Sequence, residues 1–134
     1  MKKFVKGFTL IEMLIVVGII GIIVAIAVPA LSTSMTDARQ AKIDAYISQL
    51  NTALNRYAVD QEVKNSQVAL ASIEAGWDSL KPYLTIKGST NVDYSVFEAA
   101  VCNNGTATIT GGSVAWADDV VEVTGVSSIT CAAN

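Results

Sequence analysis

The sequence predicts an α+β fold in which a long N-terminal helix packs on a small antiparallel β-sheet head. Three observations carry this prediction: an apolar run over residues 8–31, a one-sided helical stripe after it, and short strand patterns near the C-terminus. A chain of 134 residues has room for one small domain beside such a helix. We therefore predict four segments: a leader at 1–7, two halves of the helix at 8–31 and 32–60, and the head at 61–134.

The apolar run carries one charged side chain, Glu12, and otherwise consists mainly of Ile, Val, Ala, Leu and Gly. As a helix it would be about 36 Å long, against a bilayer hydrocarbon core of about 30 Å. A lone span in lipid must satisfy its own backbone hydrogen bonds, and only a helix does so. Because Lys2, Lys3 and Lys6 precede the run, this end is expected in the cytoplasm and the head outside. Pro29 is predicted to kink or loosen the helix.

The second half of the predicted helix is apolar on one side only. Apolar residues recur there at spacings of four, three, four and three, which is the pattern of an amphipathic helix. Polar residues fill most positions between them, so this half is expected to cover a core. The helix is predicted to end near Val59, and its stripe consists of Ile43, Ile47, Leu50, Leu54 and Tyr57.

Beyond residue 60 the pattern changes to turns and short strands. Residues 61–66 predict a loop, residues 68–75 a short helix capped by Ser66, and Pro82 a break in any helix there. Turn residues then separate strand patterns whose order predicts an antiparallel meander packed on the striped half of the helix. The predicted strands are 92–101, 106–110, 113–117, 120–124 and 126–130.

Charge and residue types argue against several functions. Loss of residues 1–7 would leave six basic residues against 12 acidic ones, so no nucleic-acid partner is expected. The chain has no histidine, and no nucleophile–base pair, phosphate loop or metal-ligand spacing is recognisable, so neither an enzyme nor a cofactor is predicted. Cys102 and Cys131 lie on the predicted outer side, where a disulfide is more stable than the alternative of two free thiols.

The start of the chain resembles the class III signal of type IV pilins and pseudopilins. The residues that carry the resemblance are Lys6-Gly7-Phe8-Thr9-Leu10-Ile11-Glu12, a short basic leader before them and the apolar run after them. In this resemblance Gly7 precedes the cleavage point and Phe8 becomes the mature N-terminus. Glu12 and Pro29 then become the fifth and twenty-second mature residues. The close resemblance covers roughly the first 60 residues, and the head matches in general plan only.

The resemblance implies a pilin-like fold and a structural function. A membrane-embedded prepilin peptidase would cut between Gly7 and Phe8 and methylate the new amine of Phe8. Identical subunits, stored in cytoplasmic membrane lipid, would then be assembled into a helical filament by an ATPase acting through a membrane platform. The filament would lie at the cell surface or in the periplasm. A disulfide-bounded region near the C-terminus, as Cys102 and Cys131 would form, is also common in the family.

The subtype implied is a pilus subunit, and two relatives of that function stay open. One is a pseudopilin of type II secretion, although the Gly-x-Tyr-Pro continuation usual in major pseudopilins does not follow Tyr57. The other is a minor or competence pilin. An alternative of another class is a membrane-tethered or secreted binding module, released by an ordinary signal peptidase after Ala27. That alternative does not explain Gly7, Glu12 and Pro29 together.

Within the apolar run, Glu12 is the most informative residue, because a carboxylate in a membrane helix normally has a partner and a function. We interpret it as the partner of the free amine of Phe8 on a neighbouring subunit, against the alternative that it only reaches the membrane interface. Gly18, Gly21 and Ala25 fall on one helical face, where small side chains let helices approach closely in lipid.

An acidic cluster in the head, Asp118, Asp119 and Glu122, raises the question of a calcium site, because Ca²⁺ prefers oxygen ligands. The cluster resembles the major pseudopilins of type II secretion, which have a calcium site in their C-terminal loop. The cluster lacks the alternating spacing of a dedicated calcium loop. We therefore favour a solvated turn and predict no metal.

Overall fold

The computed structural model describes residues 7–132, so the predicted basic leader, with Lys2, Lys3 and Lys6, lies outside the described residues. The chain contains two compact units, one up to Gln40 and one from Ala41 onward. Its elements are helix α1 at Leu10–Val63, helix α2 at Trp77–Leu80, a 3₁₀ turn at Lys81–Tyr83, helix α3 at Tyr94–Cys102, strand β1 at Thr106–Ala117 and strand β2 at Val120–Ala132.

Helix α1 confirms the prediction of one long helix and ends four residues later than expected. It continues without interruption through Pro29. The hydroxyls of Ser32 and Thr33 donate to the carbonyl oxygen of Pro29 at 2.8 and 3.2 Å. Serine and threonine hydroxyls often bond in this way to a carbonyl one turn earlier in the same helix.

In the first unit, α1 buries no side chain. Every described residue from Gly7 to Gln40 is exposed, including the large aliphatic ones. Helix α1 also contains a segment long and apolar enough to cross a membrane. Water would not stabilise such a surface, so this half of the helix requires lipid or other helices as its surroundings.

In the second unit, the predicted stripe of α1 lies against the core. Ile43 and Ile47 are half-buried, and the helix residues that are fully buried are Leu50, Ala53, Leu54, Tyr57 and Ala58. The core around Phe97 is aromatic: its ring lies 5.0 Å from that of Trp77 and 5.8 Å from that of Tyr46. Strand residues Val114 and Val126 complete the same core, so the second half of α1 packs on the sheet as predicted.

The prediction of a strand at 92–101 was wrong, because this segment is helix α3. The carboxylate of Asp93 caps its first turn by accepting from the backbone N–H of Val96 at 2.9 Å. Phe97 and Val101 are buried at a helical spacing of four, and Asn103 ends the helix with a left-handed φ of 52°. Helical burial and two caps therefore override the strand propensity of Val92, Tyr94 and Val96.

The prediction of a helix at 68–75 capped by Ser66 was also wrong. Residues 61–63 extend α1, so the expected loop begins later. Leu70 instead forms an isolated antiparallel bridge with Val114, and a turn at 73–76 leads to the short α2. Pro82 follows α2 inside the 3₁₀ turn, as expected for a residue that cannot continue a helix.

The four remaining predicted strands form two, so the sheet is a long antiparallel hairpin and not a meander. Asp118 and Asp119 form the predicted turn, with φ of 47° and 63°. Gly111 and Gly112, predicted as a turn, lie at a register shift within β1. Their φ values are 83° and 81°, and a Cβ on Gly112 would lie 2.5 Å from Cδ1 of Ile73. The left-handed backbone, together with this close contact, explains why glycine stands at this position.

Candidate functional site

The candidate site lies at the start of α1, where Thr9 and Glu12 bond to each other reciprocally. The backbone N–H of Glu12 donates to Oγ1 of Thr9 at 3.3 Å. In return, Oε2 of Glu12 accepts from the backbone N–H and the hydroxyl of Thr9 at 3.4 and 3.5 Å. This is the geometry of a capping box, in which the first turn of a helix has its free N–H groups satisfied by side chains.

The charge of Glu12 is favoured at this position for a second reason, since a carboxylate in the first turn faces the positive end of the helix dipole. No basic side chain of the described residues bonds to it. The capping bonds are long, so they hold the carboxylate weakly and leave it available to a stronger donor. Thr9 was not among the predicted site residues, although the Thr-x-x-Glu spacing is itself a signal of a capping box.

The bond between Gly7 and Phe8 precedes the helix. Residues 7–9 have no regular secondary structure and are exposed, and the Phe8 side chain is 74% accessible. A Cβ on Gly7 would meet no atom within 4 Å. A protease could therefore reach this bond without unwinding α1.

The other predicted assembly residues lie along the exposed half of α1. Gly18 and Gly21 face open space, because no atom beyond the local helix backbone lies within 4 Å of an added Cβ at either position. Ala25 and Pro29 are exposed on the same helix. Intramolecular packing therefore gives no reason for glycine at 18 or 21, and each leaves a shallow place on the helix surface.

Far along the chain from this site, a disulfide closes the head. Cys102, the last residue of α3, is bonded to Cys131 near the end of β2, with 5.3 Å between their Cα atoms. The pairing confirms the sequence prediction and joins α3 to the strand that is most distant from it in sequence. The structure contains no free cysteine among residues 7–132.

The acidic residues proposed as calcium candidates do not form a site. Asp118 and Asp119 occupy the turn between β1 and β2, and Asp119 accepts from Nε2 of Gln67 at 3.1 Å. Glu122 lies on β2 opposite Ala115. Over residues 7–132 no group of three or more acidic, cysteine or histidine side chains is arranged to hold a metal ion. The calcium alternative thus has no support in the geometry.

Several polar contacts that sequence reasoning missed tie the head together. The side-chain amide of Asn51 on α1 bonds to the backbone of β2 as a neighbouring strand would. Its Oδ1 accepts from the N–H of Val126 at 2.6 Å, and its Nδ2 donates to the carbonyl of Val126 at 3.4 Å. Near the end of α1, Oδ2 of Asp60 accepts from the hydroxyl of Tyr83. The same oxygen accepts from Nζ of Lys64 at 2.6 Å. The bond from Lys64, and then that from Tyr83, lowers the pKa of Asp60, while Asp60 raises the pKa of both partners.

The fold and the site together define a class of protein: a disulfide-closed α+β head joined to a long helix whose first half is apolar, exposed and capped by a threonine–glutamate pair. Comparisons with known proteins define that class more closely. The prokaryotic N-terminal methylation motif matches residues 2–28. No solved structure matches the chain at a significant level.

The relatives of this chain are named as pilus proteins. A type IV major fimbrial protein FimA of Dichelobacter nodosus is 29% identical over 131 residues, which cover 87% of this chain and 84% of the relative. A second protein of that name and organism is 34% identical over 84% of this chain and 70% of the relative. The type IV narrow pilus major component PilA5 of Thermus thermophilus is 38% identical over 65% of this chain and 76% of the relative. The chain belongs to the type IV pilin family.

Proposed function

We propose that this chain is the filament-forming subunit of a type IV pilus, matured by cleavage after Gly7 and assembled through α1. The observation that carries the proposal is the segment of α1 up to Leu31, which exposes an apolar surface and has one carboxylate, Glu12, at its start. The relatives named above are fimbrial and pilus components, which favours a pilus over a secretion pseudopilus. The role is structural, and the chain needs no cofactor for it.

Maturation is proposed to remove residues 1–7 by a prepilin peptidase. The match to the N-terminal methylation motif supports both cleavage before Phe8 and methylation of its amine. The exposed, non-helical segment at 7–9 supports access to the bond. Before assembly, α1 would cross the cytoplasmic membrane once, with the head outside, where the Cys102–Cys131 disulfide is stable.

Assembly is proposed to transfer the first half of α1 from lipid to a bundle of identical helices. Both surroundings are apolar, so exposed aliphatic side chains are stable in each, and close packing supplies the preference for the bundle. Gly18, Gly21 and Ala25 would let neighbouring helices approach. The partners that drive this transfer, a platform protein and an ATPase, are proposed from the pilin family alone.

Glu12 is proposed to set the register of each new subunit by pairing with the cationic amine of Phe8 on its neighbour. A free α-amino group is mostly protonated at neutral pH. In an apolar bundle an unpaired carboxylate is strongly unfavourable, and an amine at the right height satisfies it. Before assembly, the capping bonds to Thr9 provide a weaker local partner. When the Glu12 carboxylate leaves Thr9 and pairs with the amine of a neighbouring Phe8, it gains a stronger partner, which would favour the assembled state.

Three variants separate the charge of Glu12 from its capping role. Glu12→Gln keeps a side chain that suits a capping box but removes the charge. Glu12→Ala removes both, and Thr9→Val removes the cap while keeping the charge. We expect all three to be cleaved after Gly7. Filament yield should fall about tenfold or more in both Glu12 variants, as expected for loss of a buried charge pair, and stay near wild type in Thr9→Val.

The measurements are the intact mass of the membrane-bound chain, for cleavage, and the amount of this chain in sheared surface filaments, for assembly. Normal filament yield from Glu12→Gln would contradict the charge-pairing proposal. Uncleaved chain in either Glu12 variant would show that Glu12 acts in maturation instead. A wild-type chain that is cleaved but stays in the membrane or in a periplasmic filament would favour the pseudopilin alternative.

A further inference from the structure

The second half of α1 carries its charged side chains on two opposite sides. Successive residues of an α-helix are turned by about 100°, so Lys42 and Arg56 lie within about 40° of each other around the helix. Asp44 and Glu62 point in the same direction, because about five full turns separate them. Lys42 and Asp44 lie about 160° apart. We call Lys42 and Arg56 the basic flank, and Asp44 and Glu62 the acidic flank.

Both flanks are accessible to other molecules. All four flank residues are exposed, and the buried stripe of α1 lies between the flanks, on the side of the head. Within residues 7–132, neither Arg56 nor Glu62 takes part in an ion pair. Asp60 lies on the same side as the basic flank, but its charge is balanced by Lys64 at 2.6 Å. The flanks therefore present opposite charges.

The side of α1 that faces away from the buried stripe carries no charge. Val59 and Val63 on this side are 58% and 79% exposed, although burial of such apolar side chains is favourable. A helix with a neighbour on each flank would turn this side toward the inside of a bundle, where apolar side chains are stable. The residues of this uncharged side are Ala45, Ser48, Thr52, Val59 and Val63.

We propose that the basic flank of one subunit contacts the acidic flank of a second copy of this chain within the pilus. Charge complementarity indicates this partner, because each flank carries two charges and the other flank carries their opposites at similar heights. Lys42 stands two residues before Asp44, and Arg56 stands six residues before Glu62. The inference rests on the proposed function, in which identical helices lie side by side.

The position of the flanks favours a polymer over a closed dimer. The two flanks lie on opposite sides of the helix, so a two-fold contact at either flank would bring it against its own copy, and like charges would repel each other. A contact between two different surfaces of one chain is heterologous. It leaves an acidic flank free at one end and a basic flank free at the other, so further subunits can be added.

One axial offset between neighbours satisfies both charge pairs. At about 1.5 Å per residue, Lys42 lies about 3 Å below Asp44 along the helix, and Arg56 lies about 9 Å below Glu62. A neighbour raised by about 6 Å therefore brings each basic residue to within about 3 Å of the level of its acidic partner. The long, flexible side chains of lysine and arginine span this remaining difference.

The pairing proposed for Glu12 requires a similar offset in the same direction. Every atom of a subunit in a helical filament is displaced from its neighbour by the same distance along the axis. Phe8 precedes Glu12 by four residues, so the amine of a raised neighbour reaches the level of Glu12 at an offset of about 6 Å or slightly more. The raised subunit would thus supply both Phe8 and the basic flank. An offset in the opposite direction would move the flank charges further apart.

The flanks are proposed to set register and orientation, while packing of α1 supplies most of the assembly energy. Single exposed ion pairs contribute little to stability, but like charges in contact disfavour a wrong arrangement strongly. Loss of residues 1–7 leaves six basic residues against 12 acidic ones, so two copies repel each other at long range. Salt screens this repulsion beyond about 8 Å, and it screens charges in direct contact much less.

Reversal of one charge on each flank tests the proposal in assembled filaments. Arg56→Glu places a like charge opposite Glu62 of the neighbour, and Glu62→Lys places one opposite Arg56. Each should lower the amount of this chain in sheared filaments about tenfold. The double variant Arg56→Glu/Glu62→Lys restores opposite charges and should return the yield to within about twofold of wild type. Co-expression of the two single variants should do the same, because each supplies the flank that the other lacks.

This rescue is specific to a contact between copies. Arg56 and Glu62 of one chain lie about 120° apart around the helix, so they do not face each other. Lys87→Glu is the matched control, because Lys87 is exposed in a loop outside α1 and its reversal changes the net charge as much as Arg56→Glu does. It should keep the wild-type yield. Equal losses in Lys87→Glu and Arg56→Glu, or a double variant that does not recover, would overturn the proposal.

A carbodiimide cross-linker provides the second measurement, and it needs no variant. This reagent joins an amine directly to a carboxylate in contact with it. Wild-type filaments should yield dimers in which Lys42 of one chain is joined to Asp44 of another, and subunits dispersed in detergent should not. Residues two apart in a helix do not face each other, so the link must come from two chains.

If the single variants do not accumulate in the membrane, the cross-linking result decides. Wild-type filaments without a Lys42–Asp44 link would then overturn the proposal. Absence of wild-type filaments would instead contradict the proposed function.

Discussion

The two halves of α1 belong to one continuous helix, yet they meet opposite requirements. Before Gln40 every described side chain is exposed, and the exposed residues are mostly aliphatic. After Ala41 the same helix alternates between polar residues and a stripe whose members Leu50, Ala53 and Leu54 are fully buried. The difference shows that helix formation itself does not distinguish the halves. What distinguishes them is where their apolar side chains find a partner, within the chain or outside it.

The sharpest test of this comparison makes the same substitution in both halves. Leu54→Ala empties part of the core and should lower the free energy of unfolding of the head by about 2–5 kcal/mol. Leu14→Ala removes the same atoms from a side chain that is 62% exposed, and should leave head stability unchanged. Urea unfolding of the full chain in detergent, followed by the fluorescence of Trp77 and Trp116, checks both, because both tryptophans lie in the second unit.

A head that loses equal stability in both variants would show that the first half of α1 also supports the core. That result would contradict the division of the helix into two units.

The disulfide should affect the same half of the comparison only. Replacing both Cys102 and Cys131 with serine removes a cross-link between residues 29 positions apart. This double substitution should destabilise the head by about 2–4 kcal/mol. Cleavage after Gly7 should be unaffected, because that bond lies in the other unit. Urea unfolding and the intact mass of the double variant measure the two effects. Loss of cleavage in a chain that still folds would show that the peptidase reads the head as well as the leader.

A smaller effect is expected where α1 bonds to the sheet. Asn51→Ala leaves the N–H and the carbonyl of buried Val126 without their partners, which should lower stability by about 1–3 kcal/mol. Asn55→Ala is the matched control: Asn55 lies one helical turn later, is exposed, and its side chain donates to the carbonyl of Asn51 within the same helix. Urea unfolding measures both variants. If they lose equal stability, the loss comes from the change within α1 and not from the bonds between Asn51 and the sheet.

The smallest expected effect depends on pH and concerns the end of α1. Bonds from Lys64 and Tyr83 lower the pKa of Asp60 below 3.8, so its charged form stabilises the folded head above that pH. This contribution is lost as the pH falls through the lowered pKa of Asp60. Asp60→Asn should therefore be slightly less stable than wild type at pH 6, and the difference should shrink below about pH 4. Urea unfolding at both pH values measures this difference, and one that grows on acidification would contradict the assignment.

Much of the fold could be predicted because its signals are local. The apolar run, the stripe on α1 and the turn at Asp118 and Asp119 each depend on nearby residues, and all three were predicted correctly. Helix α3 was missed because Val92, Tyr94 and Val96 alternate like a strand, while the cap at Asp93 and the buried Phe97 and Val101 depend on tertiary packing. In such short segments the spacing of apolar residues does not distinguish a helix from a strand, so tertiary packing decides between them.

The hairpin shows the same limit at its glycines. Glycine pairs usually mark turns, and no local pattern indicates that Gly112 faces Ile73, which belongs to a segment far along the chain. The capping box differs, because Thr9 and Glu12 stand at a recognisable spacing. The prediction for Glu12 named a partner on another subunit, and the structure adds Thr9 as a local partner of the same carboxylate.

Mass spectrometry of sheared surface filaments, beside the washed membrane fraction, is the decisive test of assembly into a pilus. We expect that this chain dominates the sheared fraction, that it begins at Phe8 with a methylated amine, and that it is two hydrogens lighter than its reduced form. A chain that begins at Val28, as after an ordinary signal peptidase, would contradict it. So would a chain that is absent from the filaments.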